Sequence, residues 1–581
     1  MTNKPKESIS FTNRADWLAK VSKSNTKHWD VIVIGGGIVG AGIAQEATRR
    51  GFNTLLIEQK DFAWGTSSRS SKMVHGGLRY IAQGDIKLTK HSLQERERLL
   101  KEAPGLINRL GYYFVLRKKQ FPGRFIMGTL LTIYDWLAGI NDHKYISVKN
   151  TVKKFPTLTT KELNGSSYYT DTVVDDARLV MRVLQESVQA GAQVVNYIKA
   201  VTLIKDPKTQ QVTGVTVQGN TDDDSISAKE NLITLKSSVV INATGAWADK
   251  LRNEVINEQR VRPLRGSHLV IAQSKFNLDC AITILHPEDK RPVFIFPWEG
   301  ATIIGTTDLD HHKSMDNEAT ISADEVSYLL QAVNNNFPDN TITIDNIIST
   351  FSGVRPVIST DKNAANKNFS KKASKERRDH AIWANKGLIT ASGGKLTTFR
   401  LTAVETMNAA IPWLTLNKNN SLADNNKVFT NSSFKQLFKG KSSKGEYHKL
   451  WLQRLIGRYG DNAALILSNS PEQGLEENIK NNENENSLIA NTQFCLAECR
   501  WAIRNEGVIH LDDLLLRRTR LGLLLTNGAE KIFPSLANIF EQELGWDKVK
   551  WQYEVKRYNA IWNKYYYLPQ SIKTDKPKIN E

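Results

Sequence analysis

A chain of 581 residues is long enough for two or three domains with sizeable cores, and 40% hydrophobic with 24% charged residues is the balance of an ordinary globular protein. The 78 Lys+Arg against 60 Asp+Glu leave a net charge of +18, which points to a polyanion, an acidic membrane surface or an anionic substrate, set against the plainer reading of a solvated basic face. Three cysteines (Cys280, Cys495, Cys499) form no C-x-x-C pair and argue against a disulfide framework, the polar stretch Met1–His28 does not read as a signal peptide, and no apolar run reaches bilayer length, so a cytosolic or peripheral protein in a reducing compartment is expected.

Residues 1–29 read as a basic, loosely ordered lead. Val31–Ile34 is a β-branched run with no polar break, as expected of a strand buried on both faces. It passes into a G-x-G-x-x-G turn at Gly35, Gly37 and Gly40, then an Ala-rich helix, a second strand at Thr54–Ile57 and Glu58. Gly35 serves the tight turn, Gly37 the approach of a pyrophosphate, and Gly40 close helix–strand packing. The helix N-terminus offers free N–H groups to phosphates, and Glu58 an acceptor for a ribose hydroxyl. This is a dinucleotide site, with NAD and FAD both open.

Lys60–Tyr80 is dense in hydroxyls, glycine and cations, which is loop chemistry suited to a phosphate or a ring. A helix is expected at about Leu88–Glu102. Gly111–Ile140 mixes aromatics and aliphatics with Arg117, Lys118, Lys119 and Arg124, the pattern of a membrane-surface segment or of a core helix beside a basic loop. Further on come a helix over Asp175–Gly191, strands to Leu235, and a largely apolar strand at Val239–Ala243 ending in Thr244-Gly245. Strand-rich segments at Arg262–Gln273 and Pro292–Thr307 precede a helix at Asp324–Phe337 and a strand at Ile347–Val354. A polar insert at Thr360–Arg378 leads to short strands and then to Ser392-Gly393-Gly394-Lys395, which opens a helix to about Ala410. From about Asn417 only helices are expected (Tyr447–Tyr459, Ser487–Glu506, Leu511–Leu525), without chemistry of their own.

The strand-to-glycine turns at Gly35, Gly245 and Gly393-Gly394 decide between the dinucleotides. Ligands of doubly wound sheets sit at the carboxyl ends of strands, and three such ends meeting one ligand need an extended cofactor. The third turn opens a helix whose N–H groups can hold negative charge at a flavin N1/O2 locus, which an NAD-only enzyme does not need.

The set GGGIVGAGIA, TSSRSSKMVHGGLRY, ATGAWAD, GVRP and SGGKLTTFR resembles the FAD-dependent glycerol-3-phosphate dehydrogenases, within the D-amino-acid-oxidase-like flavoproteins. The likeness runs from about Asp30 to Ala410, and the C-terminal region matches in size and place. It implies an α/β fold: a Rossmann-like FAD domain over 30–415, an interleaved antiparallel-sheet substrate domain (about 106–174 and 251–354), and an all-helical domain over 416–581. It further implies oxidation of sn-glycerol 3-phosphate to dihydroxyacetone phosphate, hydride moving from C2 to flavin N5 and electrons to a membrane quinone. The chain would be peripheral on the cytoplasmic side of the inner membrane, in contact with anionic lipid, and a homodimer is compatible with the resemblance. An oxidase passing electrons to O₂ and an amino-acid-oxidising flavoenzyme remain alternatives. The basic residues are scattered rather than interleaved with stacking aromatics, which argues against nucleic acid.

By the same resemblance Arg355 and Arg378 are the phosphate clamp, with Arg377 a substitute for Arg378 because the RRDH context departs from the family pattern. Arg79 and Tyr80 lie beside the substrate, and Lys395 would polarise the C2 oxygen or hold reduced flavin's charge. For the hydroxyl proton the candidates are His268, an activated Lys395 and water. Thr307, in a polar turn with Thr306 and Asp308, would shape the pocket. Thr66, Ser67, Ser70, Ser71, Lys72, His75, Gly76, Gly77, Ala243, Gly394, Leu396 and Thr397 complete the cofactor set. No metal-ligand spacing is present.

Overall fold

The computed structural model describes residues 11–23, 28–82, 84–219, 232–359, 379–416, 420, 427–429, 446–468 and 485–573. Its first sheet runs in the order His380–Asn385, Leu388–Gly393, Ile233–Asn242, His28–Ile34, Thr54–Ile57, Gln193–Val195. The inner pairings are parallel, and the hairpin Ile198–Lys205/Val212–Gly219 adds to Ile233–Asn242 antiparallel. Val31, Ile32 and Val33 are fully buried, because helix covers one face of their strand and the hairpin packs on the other. The register carries the functional consequence. Ile34 stands opposite both Ile57 and Asn242, and Asn242 opposite Thr390. Gly35, Glu58, Ala243–Gly245 and Gly393-Gly394 therefore lie together at the carboxyl ends of adjacent strands.

Two glycines of the first turn are obligatory. A Cβ on Gly40 would lie 1.9 Å from the Gly35 carbonyl oxygen. Gly35 has φ +115, and a Cβ there would lie 2.5 Å from the Ala243 oxygen.

The second sheet has the order Ile347–Ile358, Val261–Ala272, Ala301–Gly305, Pro292–Trp298, Ala281–Leu285, Ile107–Arg117, Leu163–Val174, Lys144–Ile146, with Leu309–Asp310 pairing Val261–Ala272 beyond Ala301–Gly305. All its pairings are antiparallel except Ala281–Leu285 with Ile107–Arg117, so the expected antiparallel sheet is mixed at that one seam.

The structure revises several local expectations. The lead is not wholly loose: Arg14–Lys23 is a helix, because Trp17, with Leu18 and Val21, packs into the core of the first sheet. The C-terminal region is helical and, among the described residues, strandless, but its helices are differently drawn. The expected Ser487–Glu506 helix begins only at Leu496, and Phe533–Leu544 and Lys548–Tyr565 are helices the sequence pattern did not separate. Leu511–Leu525 is not one helix. A π-helical turn (Asp513–Arg518) and a left-handed Arg520 (φ 59) break it, as Arg517 and Arg518 reach for Asp61 and Arg520 for Asp175 and Asp176. Leu514, Leu515 and Tyr558 share a core with Tyr112, Phe296 and Phe351 of the second sheet.

Candidate active site

The glycine turns meet in one elongated cleft, lined by Gly35, Gly37 and Ile38 from the first, Ala243–Gly245 from the second and Ser392–Leu396 from the third. Glu58, the loop Trp64–Ser67 and the hairpin residues Lys199–Val201 extend its walls. Gly37 caps the Ile38–Arg49 helix without a side-chain partner, and the Ile38 amide donates to Ser67 Oγ at 3.0 Å. Free amides at that helix start are an anion site. Glu58 accepts the Gly36 amide at 2.7 Å and the Lys60 amide at 2.9 Å. Burial pushes its carboxyl above the usual range, and those amides oppose the shift.

At the other end of the cleft the HGGLRY and GGKLTT segments interlock. Thr397 Oγ1 accepts the His75 amide at 3.1 Å and donates to the His75 carbonyl at 3.2 Å. Lys395 Nζ lies 3.7 Å from the centre of the Tyr80 ring and donates to Ser92 Oγ at 2.9 Å. A Cβ on Gly77 would collide with Tyr80 at 2.2 Å, so only glycine lets that ring reach the lysine. The Gly76 amide donates to Tyr134 OH at 3.0 Å.

Arg355, just before the cleft-lining Pro356, pairs with Asp308 at 3.2 Å and donates to Thr306 Oγ1 at 3.3 Å. Its head lies over Gly266, where a Cβ would approach Nη2 to 2.7 Å. His268 is buried, stacked on Phe351 at 4.6 Å, with Nε2 3.0 Å from Ser71 Oγ. Burial, then Arg355 and Lys72, hold its pKa well below the ordinary imidazole value, so the ring is neutral.

Residues 30–400 match the family model of FAD-dependent oxidoreductases, and 426–550 match the C-terminal domain of alpha-glycerophosphate oxidase. The aerobic glycerol-3-phosphate dehydrogenase of Staphylococcus haemolyticus is 33% identical over 520 residues, 86% of this chain and 88% of that protein. The chain belongs to the FAD-dependent glycerol-3-phosphate dehydrogenase family. A Staphylococcus aureus member is 36% identical over 378 residues, 64% of this chain and 65% of that one. The FAD-complexed glycerol-3-phosphate dehydrogenase of Bacillus halodurans superposes with a TM-score of 0.72 at 26% identity, covering 95% of this chain and 97% of its own. The L-alpha-glycerophosphate oxidase of Mycoplasma pneumoniae shares the fold (TM-score 0.53, 18% identity, 70% of this chain and 100% of its own).

The family's FAD fits the cleft. Amides of the Gly37-capped helix suit a pyrophosphate, Glu58 a ribose, and a Cβ at Gly37 would sit 3.1 Å from Ser67 Oγ, filling the cradle. Thr66, whose hydroxyl donates to the Val354 carbonyl, and Leu396 also line it.

Some residues expected in the site serve elsewhere. Lys72 is fully buried, bonded to Asp176 at 2.8 Å and the Ser68 carbonyl at 2.6 Å, and lies over the Phe351 ring; its pKa falls to about 8 by burial. It is a core cation and does not line the cleft. Ser70 does line it, but its amide and hydroxyl donate to Asp176, while Ser71 is turned to His268. The Thr307 hydroxyl donates to Glu325 at 2.6 Å and accepts the Ser267 amide at 2.9 Å, which commits it to the turn's support rather than to a ligand. Arg79 lies on the Leu78–Ala82 helix, its side chain outside the described set; Arg378 and Arg377 fall outside the described residues. No cluster of metal-ligating side chains occurs among the described residues.

Other residues at the cleft carry no local sequence signal. Trp64 and Trp247 meet at 5.9 Å and both line it, and Asp61 and Asp176 brace its loop.

Proposed function

We propose that this chain oxidises sn-glycerol 3-phosphate to dihydroxyacetone phosphate and passes the electrons to a membrane quinone, working as a peripheral enzyme on the cytoplasmic face of the inner membrane. One observation carries the reading: Lys395, its ammonium held on the Tyr80 ring, lines the cleft that fits FAD, and Arg355, beside the cleft-lining Pro356, is near enough to the neutral His268 to depress its pKa. Arg355 presents a fork suited to a phosphate dianion. Lys395, which lines the cleft, holds the C2 oxygen as it loses its proton. The neutral His268 takes that proton, with Ser71 leading from its Nε2. FAD, when bound, supplies the acceptor for the hydride of C2. The names of the Staphylococcus and Bacillus relatives support the substrate.

A surface feature supports the membrane acceptor. Among the described residues no helix is long and apolar enough to cross a membrane. The Arg124–Ala138 helix instead buries Met127, Leu131 and Tyr134 and leaves Phe125 86%, Ile126 46% and Trp136 76% exposed, with Phe121 73% exposed just before it. Lys118, Lys119 and Arg124 flank this apolar strip, the makeup of an interfacial anchor on anionic lipid. Arg117, grouped with them by sequence, is instead tied to Asn336 at 2.7 Å and to the Thr159 and Lys161 carbonyls. An oxygen electrode with and without a soluble quinone analogue tests the acceptor. Oxidation of glycerol 3-phosphate that depends on the quinone is expected; rapid O₂ uptake by the pure protein alone would favour the oxidase.

A further inference from the structure

The C-terminal helices reach into the loop that walls the cleft. Arg517, Arg518 and Arg520, at the π-helical turn and the left-handed residue after it, are at most 1% exposed. Arg518 forks Asp61, with Nη1 to Oδ2 at 2.7 Å and Nη2 to Oδ1 at 2.8 Å. Arg517 Nε donates to the same Oδ2 at 2.5 Å. Arg520 donates to Asp175 at 3.0 Å and pairs with Asp176. Asp176 in turn accepts the Ser70 amide at 2.8 Å and hydroxyl at 2.7 Å. Asp61 stands shortly before Trp64 and Ser70 shortly after Ser67, so the cleft-lining stretch between them is suspended from two carboxylates, each held by the C-terminal arginines. Burying such pairs is a poor route to stability, since apolar residues serve as well, but forked pairs fix position.

We propose that Arg517, Arg518 and Arg520 are positioning residues for the cofactor loop: through Asp61 and Asp176 they set Gly65–Ser70 against FAD, so the C-terminal helical region is part of the cofactor site at a distance. The inference rests on the cleft being the FAD site. By linkage, FAD must then steady the arginine turn as much as the turn steadies FAD.

Hydrogen exchange on the full-length wild-type chain, with FAD removed and then restored, tests both layers. FAD is expected to slow exchange at Gly35–Val39, at 61–71 and at 513–520 by at least tenfold more than in the Phe533–Leu544 helix, which reports the general gain in stability on binding. No extra protection at Gly35–Val39 would overturn the cleft reading and the inference together. Protection there without any at 513–520 would overturn the inference alone. In a second arm, Asp61→Asn/Arg518→Gln replaces the charged pair by a neutral one. It is expected to weaken FAD binding at least tenfold, while Arg500→Gln/Glu543→Gln, a pair in the same region that does not bond the loop, stays within twofold of wild type. FAD affinity within twofold of wild type in a folded Asp61→Asn/Arg518→Gln protein would contradict it, and should that variant not fold, the exchange experiment decides.

Discussion

On the proposed function, substrate recognition turns on Arg355. Its fork is aimed by Asp308 and Thr306, and lysine cannot reproduce two parallel N–H bonds. Arg355→Lys should raise the KM for glycerol 3-phosphate on the order of a hundredfold and leave FAD content unchanged; steady-state kinetics beside flavin absorbance checks this, and an unchanged KM would remove Arg355 from the phosphate site. His268 makes a separate prediction. Its folded pKa lies well below its unfolded value of about 6.5, so below that pH the unfolded chain binds more protons and stability falls as pH drops. His268→Asn should therefore lose less stability than wild type between about pH 7.5 and 5.5, measured by denaturant unfolding of both proteins; equal losses would show that the imidazole is not held neutral. Arg355 and His268 stood out in the sequence by their GVRP and RGSH contexts, and the structure brings the two near each other. Lys72 was misread because a lysine in a hydroxyl-rich loop looks like a phosphate ligand, and nothing near it in sequence announces Asp176, its partner 104 positions away.

Among the elements, the glycine turns were the most legible, since Gly35 and Gly40 are demanded by backbone collisions that no other residue escapes. The register that brings them to one end of the strands lies in strand pairing, which no local pattern encodes. The Arg124–Ala138 helix explains why its sequence read two ways: one face is core and the other is exposed. Phe125→Ser with Trp136→Ser should leave the folded enzyme active with a soluble acceptor and reduce its binding to anionic vesicles by at least about a hundredfold, since each buried side chain contributes about 1.5 to 3 kcal/mol. Vesicle co-sedimentation at low salt measures this, and undiminished binding would move the membrane contact elsewhere. The C-terminal helices were the least legible. Leu511–Leu525 has helical spacing throughout, yet three buried arginines with carboxylate partners hundreds of positions away break it.

For the whole molecule, a parallel sheet brings the cofactor turns together, a largely antiparallel sheet supplies Arg355 and His268, and the C-terminal helices share a core with the second sheet while gripping the loop of the first. Composition hinted at the anionic partner, but a charge of +18 does not say which part of it is functional. The most direct measurement is anaerobic mixing of the purified, FAD-loaded protein with sn-glycerol 3-phosphate, and separately with glycine or D-alanine, while the flavin's visible absorption is followed. The account predicts bleaching by glycerol 3-phosphate alone, with dihydroxyacetone phosphate formed in an amount equal to the flavin reduced. Flavin that stays oxidised with glycerol 3-phosphate, or is reduced by the amino acids, would contradict it.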